Sequence, residues 1–65
     1  MRKTIEQMLN ESMRNSYGYV ETTPGTDMYS RLAHLTDNAR REMVKRGYLR
    51  KVGSGLVLTK SGYNV

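Results

Sequence analysis

Residues 40–51 hold six basic side chains, Arg40, Arg41, Lys45, Arg46, Arg50 and Lys51, with Glu42 the one acid among them. Guanidinium and ammonium groups at this density suit one task in particular, the neutralisation of phosphates with release of their counterions. A second set shares a helical phase. Asp27, Arg31, His34, Asn38, Arg41 and Lys45 recur at intervals of four, three, four, three and four, so they form one stripe of a helix drawn through them. In a major groove, Arg pairs with guanine edges and Asn with adenine edges. Arg31, His34, Asn38, Arg41 and Lys45 are therefore the candidate base readers. Arg40, on the flank of that stripe, is a candidate phosphate contact. Arg50, Lys51 and Ser54 are candidates for phosphate or minor-groove contact.

Each of these residues also has a structural use. Asn38 can extend a helix cap near Thr36, and a lone His34 can simply be solvated. Arg41 and Lys45 can pair with Asp37 or Glu42 at helical spacing. Arg50 and Lys51 can guard an edge strand against aggregation. The placement of charge favours binding. Residues 1–25 set Arg2, Lys3 and Arg14 against Glu6, Glu11 and Glu21 and sum to zero. The remaining residues set eight Lys and Arg against Asp27, Asp37 and Glu42 and carry the whole net charge of +5. A neutral half beside a basic half predicts one face aimed at an anionic partner.

The elements that must position these side chains follow from pattern. Thr4 as N-cap with Gln7 three residues on, and Ile5, Met8, Leu9 and Met13 on one face, predict a helix over 4–15. Residues 17–25 read as a short strand and then a turn, with Thr23 and Pro24 suited to an N-cap and N1 pair. Residues 26–46 lack Gly and Pro, and Met28, Leu32, Leu35, Ala39 and Met43 form an apolar stripe opposite the polar one. Both stripes stay in phase across Thr36-Asp37, which favours one long helix. The capping chemistry of Thr36 and Asp37 leaves a break there open. Gly47 supplies the stop. Residues 48–52 and 56–59 then read as hairpin arms joined by Gly53-Ser54-Gly55. Lys60-Ser61-Gly62-Tyr63 turns the chain back, with Tyr63 or Val65 to cover the core.

At 65 residues the chain is a single α+β domain spanning 1–65. It has no Trp, Phe or Cys. Its core rests on Leu, Val, Met, Tyr and Ile5 without disulfides or a thiolate metal site. One histidine cannot build a multi-histidine site, so neither metal nor cofactor is expected. No apolar run reaches the roughly 20 residues of a membrane span. Met1-Arg2-Lys3-Thr4 leads into a polar segment rather than a secretory apolar region. The expectation is a cytoplasmic protein that does not engage a membrane. No paired carboxylates, glycine-rich phosphate loop or His-Glu-x-x-His motif is present, so an enzyme is not expected.

Helix, extended piece, basic helix, glycine stop and hairpin together resemble a known family. Lys45-Arg46-Gly47-Tyr48-Leu49 and Leu58-Thr59-Lys60-Ser61-Gly62 look like the phrases that end the recognition helix and close the wing in winged helix–turn–helix domains. The likeness covers residues 39–62 well and residues 4–20 loosely. It implies a winged-helix-like fold with an N-terminal helix, one or two basic helices in 26–46 and a two-stranded wing. It also implies double-stranded DNA as partner and transcriptional regulation as role. The helix and turn that normally precede a recognition helix are not distinct in residues 21–35.

A domain this small covers a limited stretch of DNA, so a homodimer through the neutral helix at 4–15 would add specificity. The alternative is a protein-binding winged helix, of a kind a phage or prophage could encode. Its basic surface would dock on an acidic host protein of the transcription or replication machinery.

Overall fold

A computed structural model of the chain describes residues 2–14 and 22–65. Among the described residues the regular elements are three helices and one two-stranded antiparallel hairpin: α1 (Ile5–Arg14), α2 (Asp37–Lys45), β1 (Leu49–Val52), β2 (Gly55–Leu58) and α3 (Lys60–Tyr63). No helix among the described residues is long and apolar enough to cross a membrane.

The capping box sets α1. The Thr4 hydroxyl accepts from the Gln7 N–H at 3.1 Å, and the Gln7 side chain accepts from the Thr4 N–H at 2.8 Å. Two of the donors that a helix start leaves open are thereby satisfied. Leu9 and Met13 are buried, and Ile5 and Met8 pack against the same cluster. The apolar face read from the sequence is thus the core face. The outer face of α1 is polar, with Gln7, Glu11 and Arg14 exposed.

The expected strand over 17–25 falls mainly outside the described residues. Its described end differs from expectation: Thr23 and Pro24 do not open a helix. They form a turn in which the Thr26 N–H donates to the Thr23 carbonyl at 3.2 Å and Gly25 takes φ +92°. Proline followed by a positive-φ glycine is the pattern of a type II turn. Residues 25–28 then run antiparallel beside β2. Gly25 N–H donates to Leu58 O at 2.8 Å, Leu58 N–H to Thr26 O at 2.9 Å, and Met28 N–H to Leu56 O at 2.7 Å, with a bridge between Asp27 and Val57.

The in-phase stripes over 26–46 do not make one long helix. Residues 29–34 form a short helical turn in which Leu32, Ala33 and Leu35 donate three residues back, to Tyr29, Ser30 and Leu32. The chain breaks at Leu35-Thr36. Thr36, in extended backbone, caps α2 by accepting from the Ala39 N–H at 3.2 Å. The apolar stripe survives the break, since Met28, Leu32, Ala39 and Met43 are all buried and Leu35 packs on them. At the far end Gly47 takes φ +81°, a conformation that a side chain disfavours, and the chain leaves for β1.

The hairpin register pairs Leu49 with Leu58, Arg50 with Val57, Lys51 with Leu56 and Val52 with Gly55. Its connection is therefore the two residues Gly53 and Ser54, one fewer than the expected three. Gly53, at φ +58°, stands at the first loop position, as a type II′ turn requires. Leu49, Leu56 and Leu58 complete the core with Leu9, Met28, Leu32 and Met43. Emptying one such site, as in Leu9→Ala, costs about 2–5 kcal/mol. Behind the hairpin, Val65 packs on the core while Tyr63 is exposed.

Candidate nucleic-acid interface

The face of α2 opposite Ala39 and Met43 carries Asn38, Arg41 and Lys45, all exposed. The spacing that buries Ala39 and Met43 four residues apart turns these three outward. The acids that could neutralise the two cations are engaged elsewhere. Asp37 pairs with Arg40, and Glu42 with Arg46 at 3.4 Å. Among the described residues, no carboxylate lies within salt-bridge distance of Arg41 or Lys45.

The hairpin separates Arg50 from Lys51. Side chains alternate along a strand, so Lys51 shares the face of Leu49, Leu56 and Leu58, while Arg50 shares the opposite face with Val57. Both are exposed. Lys51 therefore turns toward α2. Together with Tyr29, Asp37, Arg41 and Ser54 it lines an open groove of about 570 Å³ between α2 and the hairpin.

Other candidates sit elsewhere. Arg31 donates to the Met13 carbonyl at 3.3 Å and to the Thr22 hydroxyl, tying residues 29–34 to the end of α1. Arg40 donates to the carbonyls of Leu32 at 2.8 Å and Leu35 at 2.6 Å, and to Asp37. Both guanidinium groups hold the fold, although Arg40 also borders the groove. His34 is exposed but lies on another hollow, with Arg2, Lys3, Glu11 and Leu35, away from Lys51. Arg41, Lys51 and Ser54 thus share the groove, Asn38 and Lys45 are exposed on α2, and Arg50 is on the outer hairpin face.

The chain matches no known protein family, no curated protein and no solved structure.

Arg46, in the middle of the basic run, is neutralised. It donates to Glu6 at 2.5 Å, and the Tyr48 hydroxyl donates to the same Glu6 oxygen at 2.8 Å. A backbone hydrogen bond, then Tyr48, then Arg46 hold the Glu6 carboxyl below its ordinary value. The bond to that carboxylate raises the Tyr48 phenol, and the same carboxylate raises Arg46. This network joins α1 to the end of α2 and takes Arg46 out of the available charge. Among the described residues, no three His, Cys, Asp or Glu side chains gather as a metal site would require.

Tyr29 was missed by sequence reasoning, although it is large, half-exposed and lines the groove. Its signal was faint: an aromatic residue that belongs to neither stripe, next to buried Met28.

Proposed function

We propose that this chain is a small winged-helix-like DNA-binding protein that acts in transcriptional regulation. In this reading α2 enters the major groove and the β1–β2 hairpin is the wing. The order of elements supports it: α1, the stretch 25–28 beside β2, the turn at 29–34, capped α2, then the hairpin. The observation that carries the proposal is that Arg41 and Lys51 line one groove between α2 and the hairpin, and Lys45 stands exposed one turn beyond Arg41, while Arg31, Arg40 and Arg46 are bound within the protein. Phosphate contacts by Arg41, Lys51 and Arg50 would set the register. Asn38 and Lys45, exposed on α2, would meet base edges.

Fluorescence-anisotropy titration of mixed duplex DNA at several salt concentrations tests this reading. Wild-type log affinity should fall linearly with log salt, and Arg41→Ala and Lys51→Ala should each flatten the slope by about one unit. No binding at low salt sinks the proposal and leaves the basic surface for an acidic protein.

A further inference from the structure

Phosphate binding leaves one part of the groove without a use. Tyr29 is 54% exposed and lines it with Arg41, Lys51, Ser54 and Asp37. The backbone that presents this ring is held: the Tyr29 N–H donates to the Asp27 carboxylate at 3.0 Å, and the Tyr29 carbonyl accepts from the Leu32 N–H at 3.3 Å. Met28, immediately before it, is fully buried. In an intact duplex the faces of the bases are covered by their neighbours, so an aromatic side chain has nothing to stack on. An unpaired nucleotide offers a free base face and a phosphate together, and a ring flanked by cations is complementary to that pair. Asp37, paired with Arg40 at the edge of the groove, keeps an exposed carboxylate that can accept from the amino group of a base.

We infer that this groove holds an unpaired nucleotide of a bound strand, with its base stacked on Tyr29 and its flanking phosphates held by Arg41 and Lys51. The inference rests on the nucleic-acid reading above and adds to it a preference for substrates with an unpaired base, such as an overhang, a bulge or a single strand.

The test titrates the full chain with three fluorescein-labelled DNAs of one sequence: a blunt duplex, the same duplex with a short 3′ overhang, and the single strand. The overhang substrate should bind about tenfold more tightly than the blunt duplex, within the range measured for one base–aromatic stack. Tyr29→Leu should abolish that preference while blunt-duplex affinity stays unchanged, and Tyr29→Phe should keep it. Circular dichroism of each variant checks folding, and the exposed position of Tyr29 leaves the core untouched. Equal affinity for blunt and overhang DNA, or a preference that survives Tyr29→Leu, overturns the inference while the DNA reading stands. Absence of binding to all three DNAs at low salt overturns both and points to a protein partner.

Discussion

Gly62 lies against the backbone of Tyr48 so closely that a Cβ at Gly62 would stand 2.2 Å from the Tyr48 carbonyl oxygen. The same Cβ would meet Leu58 Cδ1 at 2.9 Å. The neighbouring Thr59 hydroxyl completes the join. It accepts from the Gly62 N–H at 3.1 Å and lies within donating distance of the Gly47 and Tyr48 carbonyls, at 2.5 and 2.9 Å, while the Thr59 N–H donates to the Tyr48 carbonyl at 3.0 Å. The Leu58-Thr59-Lys60-Ser61-Gly62 phrase is thus a clasp that closes α3 onto the start of β1.

Gly62→Ala should therefore destabilise the fold by about 1–3 kcal/mol or more, since backbone cannot yield as a side chain does. Gly55→Ala is the control. Its Cβ would find Asp27 Oδ1 at 3.4 Å and the Val52 carbonyl at 3.6 Å, which is close to ordinary contact. Urea unfolding midpoints compare the two, and equal midpoints would refute the clasp.

Arg40 and Arg41 are adjacent and should fail differently. Arg40, with its side chain 22% exposed, donates to the Leu32 and Leu35 carbonyls where the turn at 29–34 ends. Arg40→Ala should cost about 2 kcal/mol of stability, the range for hydrogen bonds to a charged group. Arg41→Ala should leave stability within about 0.5 kcal/mol and lower DNA affinity. Chemical denaturation and anisotropy, run on both variants, give this crossed pattern or reject it.

Thr36 marks the break in the apolar stripe. Thr36→Ala should cost about 1 kcal/mol, and Thr36→Asn should restore most of it, because Asn also caps well. A Thr36→Ala variant as stable as the wild type would mean that packing alone sets the start of α2.

The Glu6 network has a sign in pH. A carboxyl held below its ordinary value in the folded chain contributes stability above its unfolded value, about 4.3. That contribution fades as pH falls through the folded value. Glu6→Gln should lower the melting temperature at neutral pH and flatten its decline in acid. A variant with the wild-type acid profile would show that the network contributes nothing to stability.

Salt dependence separates available cations from engaged ones. Arg50→Ala should reduce the slope as Arg41→Ala does. Arg46→Ala should not, because Glu6 and Glu42 already balance that charge. A shallower slope for Arg46→Ala would place it on the phosphate-facing surface instead.

Several elements were legible in the sequence because their signals are local. The Thr4–Gln7 box, the Ile5, Met8, Leu9 and Met13 face and the Gly47 stop are each specified within a turn or two of chain. The hairpin was legible too, but its loop length was not. Glycine at both 53 and 55 allows either connection, and the pairing of Val52 with Gly55 chooses between them. The polar stripe of the long apparent helix was partly misleading. Asn38, Arg41 and Lys45 share one face of α2, whereas His34 lies on a separate hollow and Arg31 binds the end of α1.

By itself the sequence determined the helix that starts at Thr4, the Gly47 stop, the presence of a hairpin, most of the core side chains, and that the basic charge gathers in residues 40–51. Those properties depend on neighbours within a few residues. Only the tertiary structure decided that the stripe breaks at Leu35-Thr36. Met28, Leu32, Leu35, Ala39 and Met43 fit a continuous helix and a broken one equally well. The break goes with hydrogen bonds that draw residues 25–28 alongside β2 and with Arg40 donating to the Leu32 and Leu35 carbonyls. It also decided which cations are available. Arg46 finds Glu6 forty positions away and Arg31 finds the Met13 carbonyl eighteen positions away, while Arg41 and Lys45 find no such partner among the described residues. Identical side chains became structural or surface groups according to what the folded chain placed within hydrogen-bond reach, a distance no linear spacing encodes.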